Sequence, residues 1–363
     1  MARDLLANHQ QGAALSTEGV SADRVIVGTR GSALAMWQTE FVIGLLLERR
    51  PNAHFVIQTI KTQGDKTQAL ATPIARLGDK GMFVAELEQA LLAGQLDIAV
   101  EPLSDQMLLE QERRAQQPID AAVHSLKDLP GQLSDGLTLA AITARADVRD
   151  ALISRHGWKL DQLPKGARVA TSSLRRRAQL LHRRPDLQMV EMRGNIDTRL
   201  RKALASDGPD AIILATAGLE RLGLADSITE YLSLEVMLPA AGQGALAVEV
   251  RAEDERLARL VATADHTPTR RAVSAERALL DALGGGCQVP IGVYASLEGE
   301  AGQERLCVRA MVASPDGSRL LRREARGPLA APEELGHSVA QALLAAGAGE
   351  LLAESRFRPA GDA

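Results

Sequence analysis

Short apolar runs alternate with longer amphipathic segments over the first two thirds of the chain. Buried strands are predicted at residues 25–27, 54–60, 167–170 and 210–214, where apolar residues stand together. Ser32 precedes an apolar-periodic segment at 33–48 and predicts an N-capped helix there. Further helices are predicted at 82–92, from 173 onward and at 215–222. This alternation predicts an α/β protein with parallel sheets covered by helices.

The pattern changes at about residue 267. A helix is predicted to residue 283, followed by three strand-like runs at 289–296, 305–312 and 319–326, and then by helices to the end. Strands and helices that are grouped in this way predict a separate α+β domain. Residues 61–81 are rich in Gly, Thr and charge and predict a long mobile loop, and residues 1–21 contain no h-region and predict a flexible tail.

One segment reads as an insert. The sequence LDIAV at 96–100 is echoed by IDAAV at 119–123, and the polar stretch 101–118 lies between the two copies. Two short copies do not make a repeat architecture. A local duplication that produces a surface excursion is the favoured interpretation, because insertions concentrate in exposed loops.

Composition excludes several classes of protein. The net charge of −4 and the aromatic content of 2% do not fit a general nucleic-acid binder, which needs a basic surface and stacking rings. Two cysteines, Cys287 and Cys307, cannot form a disulfide framework and lack zinc-site spacing, so a reducing compartment is expected. No apolar run reaches the length of a membrane span.

Arginine stands beside Gly, Ser or Thr at three predicted strand-to-helix junctions, at residues 28–32, 171–177 and 193–199. Helix N-terminal amides at such junctions favour anions, and arginine adds a planar fork suited to carboxylates. A single junction of this kind is usually only a solvated arginine. Three of them predict a small ligand with several negative groups, without deciding between carboxylate and phosphate.

Two further motifs carry ionisable groups. The stretch AVHSLKDLP at 122–130 ends an apolar strand in Lys127 and Asp128, which form either a surface ion pair or an acid at the cleft, while His124 is expected to be structural. The stretch GGGCQVP at 284–290 places Cys287 on a glycine-rich loop, where a reactive thiol and a buried small residue are about equally favoured. Cys307 lies in a strand-like run and is expected in a core.

Together these segments resemble the porphobilinogen deaminase (hydroxymethylbilane synthase) family over nearly the whole chain, from about residue 24 to 354. The resemblance is carried by TRGSALA at 29–35, GMF at 81–83, AVHSLKDLP at 122–130, TSSLRR at 171–176, RGN at 193–195 with TRL at 198–200, AGL at 217–219 with Arg221, GQGA at 242–245 and GGCQVP at 285–290.

The resemblance implies three domains: two α/β lobes like the halves of a periplasmic solute-binding protein, and a C-terminal α+β domain that carries the cofactor loop. The corresponding limits are 22–143 with 240–262, 144–239, and 263–363. It also implies a stepwise deaminating condensation of four porphobilinogen molecules onto a dipyrromethane held by Cys287 through a thioether. Water then releases hydroxymethylbilane for tetrapyrrole biosynthesis.

Site residues are likewise implied by the resemblance. Asp128 is the catalytic carboxylate. The implied cofactor-binding residues are Cys287, Lys127, Ser125, Thr171, Ser173, Arg175, Arg176, Arg193 and Asp65. The implied substrate-binding residues are Arg30, Ser32, Lys80, Phe83, Arg193, Arg199, Arg221 and Gln243. No metal is implied.

The chain departs from the family pattern at two places. The family has one Asp-x-Ala-Val stretch that leads into the His-Ser motif, whereas this chain has two, and we assign the catalytic strand to the second copy because only it runs directly into Asp128. Arg76 stands where the family often has lysine.

Two rival functions remain open. A solute-binding protein needs no reactive cysteine but usually needs an export signal. A metabolite-sensing regulator needs a helix-turn-helix and a basic face. We expect this chain to be the enzyme. We also expect it to be a cytoplasmic monomer that binds a small-molecule substrate and has no nucleic-acid or membrane partner.

Overall fold

The computed structural model describes residues 24–62, 84–94, 118–285, 289–300 and 302–357. The predicted tail at 1–21, almost all of the predicted loop at 61–81 and all of the insert at 101–118 except Pro118 lie outside the described residues, as does Arg76.

The first lobe is built on a five-stranded sheet. Its strands are β1 (Arg24–Arg30), β2 (His54–Ile60), β3 (Ala121–Ser125), β4 (Leu137–Ile142) and β10 (Leu246–Arg251), in the order β2-β1-β3-β10-β4. Strands β2 and β3 run parallel to β1, whereas β10 runs antiparallel to both β3 and β4. Helices α1 (Ala33–Arg49), α2 (Ala85–Ala93) and α6 (Glu255–Val261) pack against this sheet.

The second lobe repeats this plan. Its strands are β5 (Asp150–Ser154), β6 (Arg168–Ala170), β7 (Gln188–Val190), β8 (Ala211–Ala215) and β9 (Glu230–Tyr231), in the order β7-β6-β8-β5-β9. Strands β7 and β8 are parallel to β6, and β5 is antiparallel to β8 and β9. Its helices are α3 (Leu174–Arg183), α4 (Ile196–Leu204) and α5 (Thr216–Arg221). The chain crosses between the lobes through two crossing segments, residues 143–149 and 232–245.

The C-terminal part is an antiparallel sheet packed on helices. Strands β11 (Ile291–Glu298), β12 (Arg305–Ala313) and β13 (Leu320–Gly327) lie in sequence order, and α7 (Thr267–Ala282), α8 (Pro332–Ala345) and α9 (Ala348–Phe357) cover one face. Alternate residues of β12, from Leu306 to Val312, enter that core. This confirms the predicted α/β lobes with a C-terminal α+β unit; the predicted domain limits stay a prediction.

Local sequence explains the helix starts. The Ser32 hydroxyl accepts from the Ala35 amide at 3.3 Å, and the Ser173 hydroxyl accepts from the Arg176 amide at 3.4 Å, so both junction serines satisfy an otherwise unpaired first-turn donor. The predicted strands do pair in parallel, β1 with β2 and β6 with β8, but both lobe sheets are mixed rather than wholly parallel. In each sheet one strand, β5 or β10, runs antiparallel beside the parallel set, because it follows a crossing segment between the lobes rather than a strand–helix–strand unit.

The second copy of the repeated motif forms β3, as assigned from the sequence. The Ile119 amide donates to the Ala90 carbonyl at 3.2 Å, so the chain re-enters the lobe beside the last turns of α2. Ile119 is fully buried, and Arg251 donates to the carbonyls of both Leu91 and Ile119, at 3.1 and 2.8 Å. The two ends of the undescribed stretch 95–117 are therefore held close together.

Candidate active site

Lys127 and Asp128 occupy a single 3₁₀ turn, Leu126–Asp128, that follows β3 directly. Buried Leu126 anchors the turn, and its amide donates to the Ala245 carbonyl at 3.1 Å. Gly242 adopts a φ of 72°, and a Cβ there would lie 2.7 Å from Leu126, so glycine is required for this approach. The apolar anchor leaves the two ionisable side chains half-buried at the carboxyl end of the strand.

Asp128 lines a small pocket that is open to solvent. The other polar lining residues are Arg30, Ser32, Gln38, His124 and Ser125. Gln38 on α1 donates to the Ser125 hydroxyl at 2.8 Å and fixes one wall. Four residues singled out in the sequence, Arg30, Ser32, Ser125 and Asp128, thus meet in one cavity although they come from two distant segments.

The second lobe brings its hydroxyl and arginine residues to the carboxyl end of β6. The Thr171 hydroxyl accepts from the Ser173 amide at 3.2 Å, and Arg175 and Arg176 follow in the first turn of α3. Both arginines are buried rather than open to solvent, with exposed fractions of 5% and 7%. They pair with Asp150, the first residue of β5, at 2.7 and 2.8 Å.

Electrostatics connect the two lobes. Burial lowers the pKa of Lys127 from its ordinary 10.5 to about 8; the charges of Asp128 and Asp150 oppose this, while those of Arg176 and Arg175 add to it. The Asp150 carboxyl is destabilised as an anion by burial, but attraction from the two arginines and their hydrogen bonds outweighs this and lowers its pKa. Lys127 from the first lobe therefore shares one charge cluster with the second lobe.

Arg199 on α4 belongs to the same cluster. Burial lowers its pKa to about 10, with further lowering by Arg176 and Arg193 and an opposing effect from Asp128. Its Nε atom is buried without a hydrogen-bond partner in the described part of the chain. An anionic ligand would pair with this guanidinium nitrogen and would offset the repulsion between the neighbouring cations.

Other predicted ligand-binding residues make hydrogen bonds within the protein. Arg193 donates to Glu191 at 3.4 Å. Arg221 donates to the Gly244 carbonyl at 2.7 Å and lies over the Trp37 ring at 5.8 Å, and burial lowers its pKa to about 10. Gln243 is buried and donates to Val148 and Asp150. Arg221 and Gln243 therefore join the lobes at the crossing segments.

The remaining predicted residues, Asp65, Lys80, Phe83 and Cys287, lie outside the described residues. Helix α7 and strand β11 flank the undescribed residues 286–288 on either side. Cys307 is fully buried in β12, as predicted, and burial raises its pKa to about 11, which suppresses thiolate formation.

Sequence reasoning missed two buried acids. Asp150 opens an apolar strand, and nothing in its neighbourhood signals that it contacts Arg175 and Arg176. The second is Glu249 on β10, whose Oε2 lies 3.1 Å from His124 Nε2. His124 is therefore buried and paired with an acid, as expected for a structural histidine. No group of three or more His, Cys, Asp or Glu side chains within the described ranges is placed to hold a metal.

Comparison with known proteins decides the family. A family model described as "Porphobilinogen deaminase, dipyromethane cofactor binding domain" matches residues 25–114 and 107–259, and "Porphobilinogen deaminase, C-terminal domain" matches residues 270–345. The porphobilinogen deaminase of Desulforudis audaxviator is 47% identical over 92% of this chain and 98% of its own length. The chain belongs to the porphobilinogen deaminase family.

Other porphobilinogen deaminases match almost as fully. Those of Geobacter metallireducens and Brevibacillus brevis are 47% and 48% identical over 90% of this chain, covering 93% and 96% of their own length. The two matches of the first family model overlap at residues 107–114, inside the predicted insert. Among solved structures, the Bordetella pertussis BvgS periplasmic VFT2 domain covers 71% of this chain and 91% of its own at 16% identity and a TM-score of 0.37.

Proposed function

We propose that this chain catalyses the porphobilinogen deaminase reaction, in which four porphobilinogen molecules are condensed with loss of ammonia and released as hydroxymethylbilane. The observation that carries the proposal is the meeting of Asp128 with cations from both lobes in one cleft of a chain that belongs to this family. Porphobilinogen carries two carboxylates per ring, and the cleft is lined with groups that bind carboxylates.

The dipyrromethane cofactor of the family fits the residues present. The cluster of Lys127, Arg175, Arg176 and Arg199 holds more positive charge than Asp128 and Asp150 balance, and Arg199 Nε is buried without a hydrogen-bond partner among the described residues. When bound, the cofactor supplies the free pyrrole α-carbon to which rings are added. Its attachment through a thioether to the Cys287 thiol is part of the proposal.

Asp128 is the proposed catalytic residue. Its carboxylate lines the pocket at the end of a rigid strand, and Arg199 and Lys127 are close enough for their charges to interact with it. A fixed anion stabilises positive charge that develops on a pyrrole nitrogen and accepts or returns a proton there.

The other site residues are proposed as carboxylate binders. On the first lobe the carboxylate binders are Arg30, Ser32 and Ser125, with Lys80 from the undescribed stretch, whereas Phe83 and Asp65 are proposed to contact substrate and cofactor, respectively, without binding carboxylates. On the second lobe they are Thr171, Ser173, Arg193 and Arg199, with Arg175, Arg176, Arg221 and Gln243 at the lobe boundary. Holding both reactants in one cleft supplies much of the rate acceleration.

We propose a cytoplasmic monomer that binds no nucleic acid. The acidic net charge of −4 supports the absence of nucleic acid, and the presence of only two cysteines supports a reducing compartment. None of the helices in the described part of the chain is long and apolar enough to cross a membrane.

Two measurements test the function. The intact mass of the purified protein should exceed the sequence mass by two pyrrole units, and a dipyrrole colour reagent should react with it. The loaded protein should convert porphobilinogen to a linear tetrapyrrole that cyclises and oxidises to a coloured porphyrin. A chain with neither the adduct nor the product would refute the proposal and favour a binding protein.

A further inference from the structure

Asp150 is a buried carboxylate that accepts four hydrogen bonds at the boundary between the lobes. It is fully buried at the first position of β5. Its Oδ2 accepts from Arg175 Nη1 at 2.7 Å, and its Oδ1 accepts from Arg176 Nη2 at 2.8 Å and Nε at 3.2 Å. Gln243 Nε2 also donates to Oδ1, at 3.0 Å. All three donor residues are ones that the sequence assigned to ligand binding.

We propose that Asp150 is a positioning residue: its buried carboxylate fixes Arg175, Arg176 and Gln243 in the arrangement in which the cleft receives ligand carboxylates. This inference rests on the proposed function, and it assigns no contact between Asp150 and the ligand.

Arg175 and Arg176 differ in how many of their guanidinium nitrogens are hydrogen-bonded to the protein. Arg176 places Nε and Nη2 on Asp150 and Nη1 on the Ile213 carbonyl, so all three of its nitrogens have protein partners. Within the described residues, Arg175 uses only Nη1, which it shares between Asp150 and the Leu238 carbonyl at 2.7 Å each. Asp150 therefore orients Arg175 through one nitrogen and leaves its Nε and Nη2 for a ligand.

Helix α3 needs this acid. Arg175, Arg176 and Arg177 lie in its first turn, where the helix dipole disfavours cations, and the first turn carries no acidic residue. Asp150 supplies the missing negative charge from a neighbouring strand. Without it, two buried guanidinium groups would repel each other beside a helix N-terminus.

Asp150 also connects the arginines to the boundary between the lobes. It follows the first crossing segment, 143–149, directly, whereas Gln243 lies in the second, 232–245. The Gln243 side chain donates to the Val148 carbonyl at 2.8 Å, and the Gln243 backbone carbonyl accepts from Arg145 Nε at 2.8 Å. The position of the arginine pair is therefore fixed relative to both connections between the lobes.

The charge of Asp150 reaches Lys127 on the opposite lobe. The charged groups that act on Lys127 are Asp128 and Asp150, which favour its protonated form, and Arg175 and Arg176, which oppose it. Removing the Asp150 charge would lower the pKa of Lys127 further and would bring its deprotonation closer to neutral pH. A substitution that keeps the negative charge would leave that titration in place.

The test compares Asp150→Asn, Asp150→Glu and Asp186→Asn with the parental enzyme. Asp186 pairs with Arg184 at the amino end of β7, away from Thr171 and Arg193, and serves as the matched control. Each purified protein is measured for the fraction carrying the dipyrromethane by intact mass, for kcat/KM against pH, and for its thermal unfolding midpoint.

Asp150→Asn should lower the loaded fraction, reduce kcat/KM by at least about tenfold, and shift the alkaline limb of its pH profile to lower pH. Asp150→Glu should keep the alkaline limb in place, because the charge survives, but lower kcat/KM by about tenfold because the carboxylate is displaced by one methylene. Asp186→Asn should match the parental enzyme in loading and pH profile.

A folded Asp150→Asn enzyme with parental loading, kcat/KM and pH profile would overturn the inference. So would Asp150→Glu within about twofold of the parental kcat/KM, and this variant decides the matter if Asp150→Asn does not fold. Failure of the proposed function would be seen in the parental chain itself, as absence of the adduct and of turnover. The two failures are therefore distinguishable.

Discussion

Lys127 should make the cofactor-free protein less stable than it would be without this lysine. A Lys127 pKa of about 8 in the folded chain, instead of 10.5, means that folding destabilises the protonated lysine by about 3 kcal/mol. The side chain is only partly buried, and solvent screening reduces this to about 2 kcal/mol. The cause is burial, to which the charges of Arg176 and Arg175 add.

The pH dependence of this effect has a definite sign. Below pH 8 the lysine is protonated in both the folded and the unfolded chain, so the destabilisation is complete. Between pH 8 and 10.5 the unfolded chain binds more protons than the folded one, and stability therefore rises with pH. Above pH 10.5 the lysine is neutral in both states and the destabilisation is absent.

The assay is urea unfolding of the cofactor-free Cys287→Ser protein at pH 7, 8, 9 and 10, with and without Lys127→Met. The methionine variant should be more stable by about 2 kcal/mol at pH 7, and the difference should shrink towards pH 10. Lys202→Met, which removes an exposed lysine of α4, is the control and should change little. Equal stabilities at pH 7, or a difference that grows with pH, would refute the reasoning.

Four further variants test the proposed site. Cys287→Ser should abolish the dipyrrole adduct seen by intact mass, because a hydroxyl is a far weaker nucleophile than a thiolate, whereas Cys307→Ala should keep it. Asp128→Ala should slow single-turnover ring addition by at least about 100-fold while circular dichroism stays parental, because it removes the fixed anion. Deleting residues 96–118 should leave a folded, active protein, measured by unfolding midpoint and turnover, because Ile119 already lies beside the end of α2.

Each of these predictions has an outcome that would contradict it. An adduct that survives in Cys287→Ser but is lost in Cys307→Ala would show that the cofactor is attached to Cys307 and not to Cys287. A loaded Asp128→Ala enzyme within about tenfold of the parental rate would exclude Asp128 as the catalytic residue, and Asp65 would be the next acid to test. An insoluble or inactive deletion protein would show that the insert contributes to the lobe or to the cleft.

Local sequence was enough to determine where many elements begin and end. The strand at 54–60 was predicted with the limits that it has, and the helices after Ser32 and Ser173 start where their serines predicted. These features depend on residues within one turn or one strand, since capping and apolar periodicity are properties of neighbouring residues. The burial of Cys307 follows from the same kind of local pattern.

Only the tertiary structure decided how distant segments combine. Strand β10 lies antiparallel between β3 and β4, so the sheet of the first lobe is completed by residues that follow the second lobe in sequence. Strands β4, β5, β7 and β9 carry no periodicity strong enough to be predicted alone. Strands β4, β5 and β9 are placed by pairing with partners far along the chain, whereas β7 pairs with β6 across one helix, and this pairing energy has no signature in a short window.

The chemistry of the site divides in the same way. The sequence determined which residue types stand at the strand ends, and so predicted a cleft for a polyanionic ligand around Asp128. Whether an arginine faces that cleft or a buried acid depends on contacts such as Arg175 with Asp150, 25 residues apart, and Gln243 with Asp150, 93 residues apart. A pKa such as that of Lys127 depends on every charge and on the burial around it, which exist only once the two lobes are packed together.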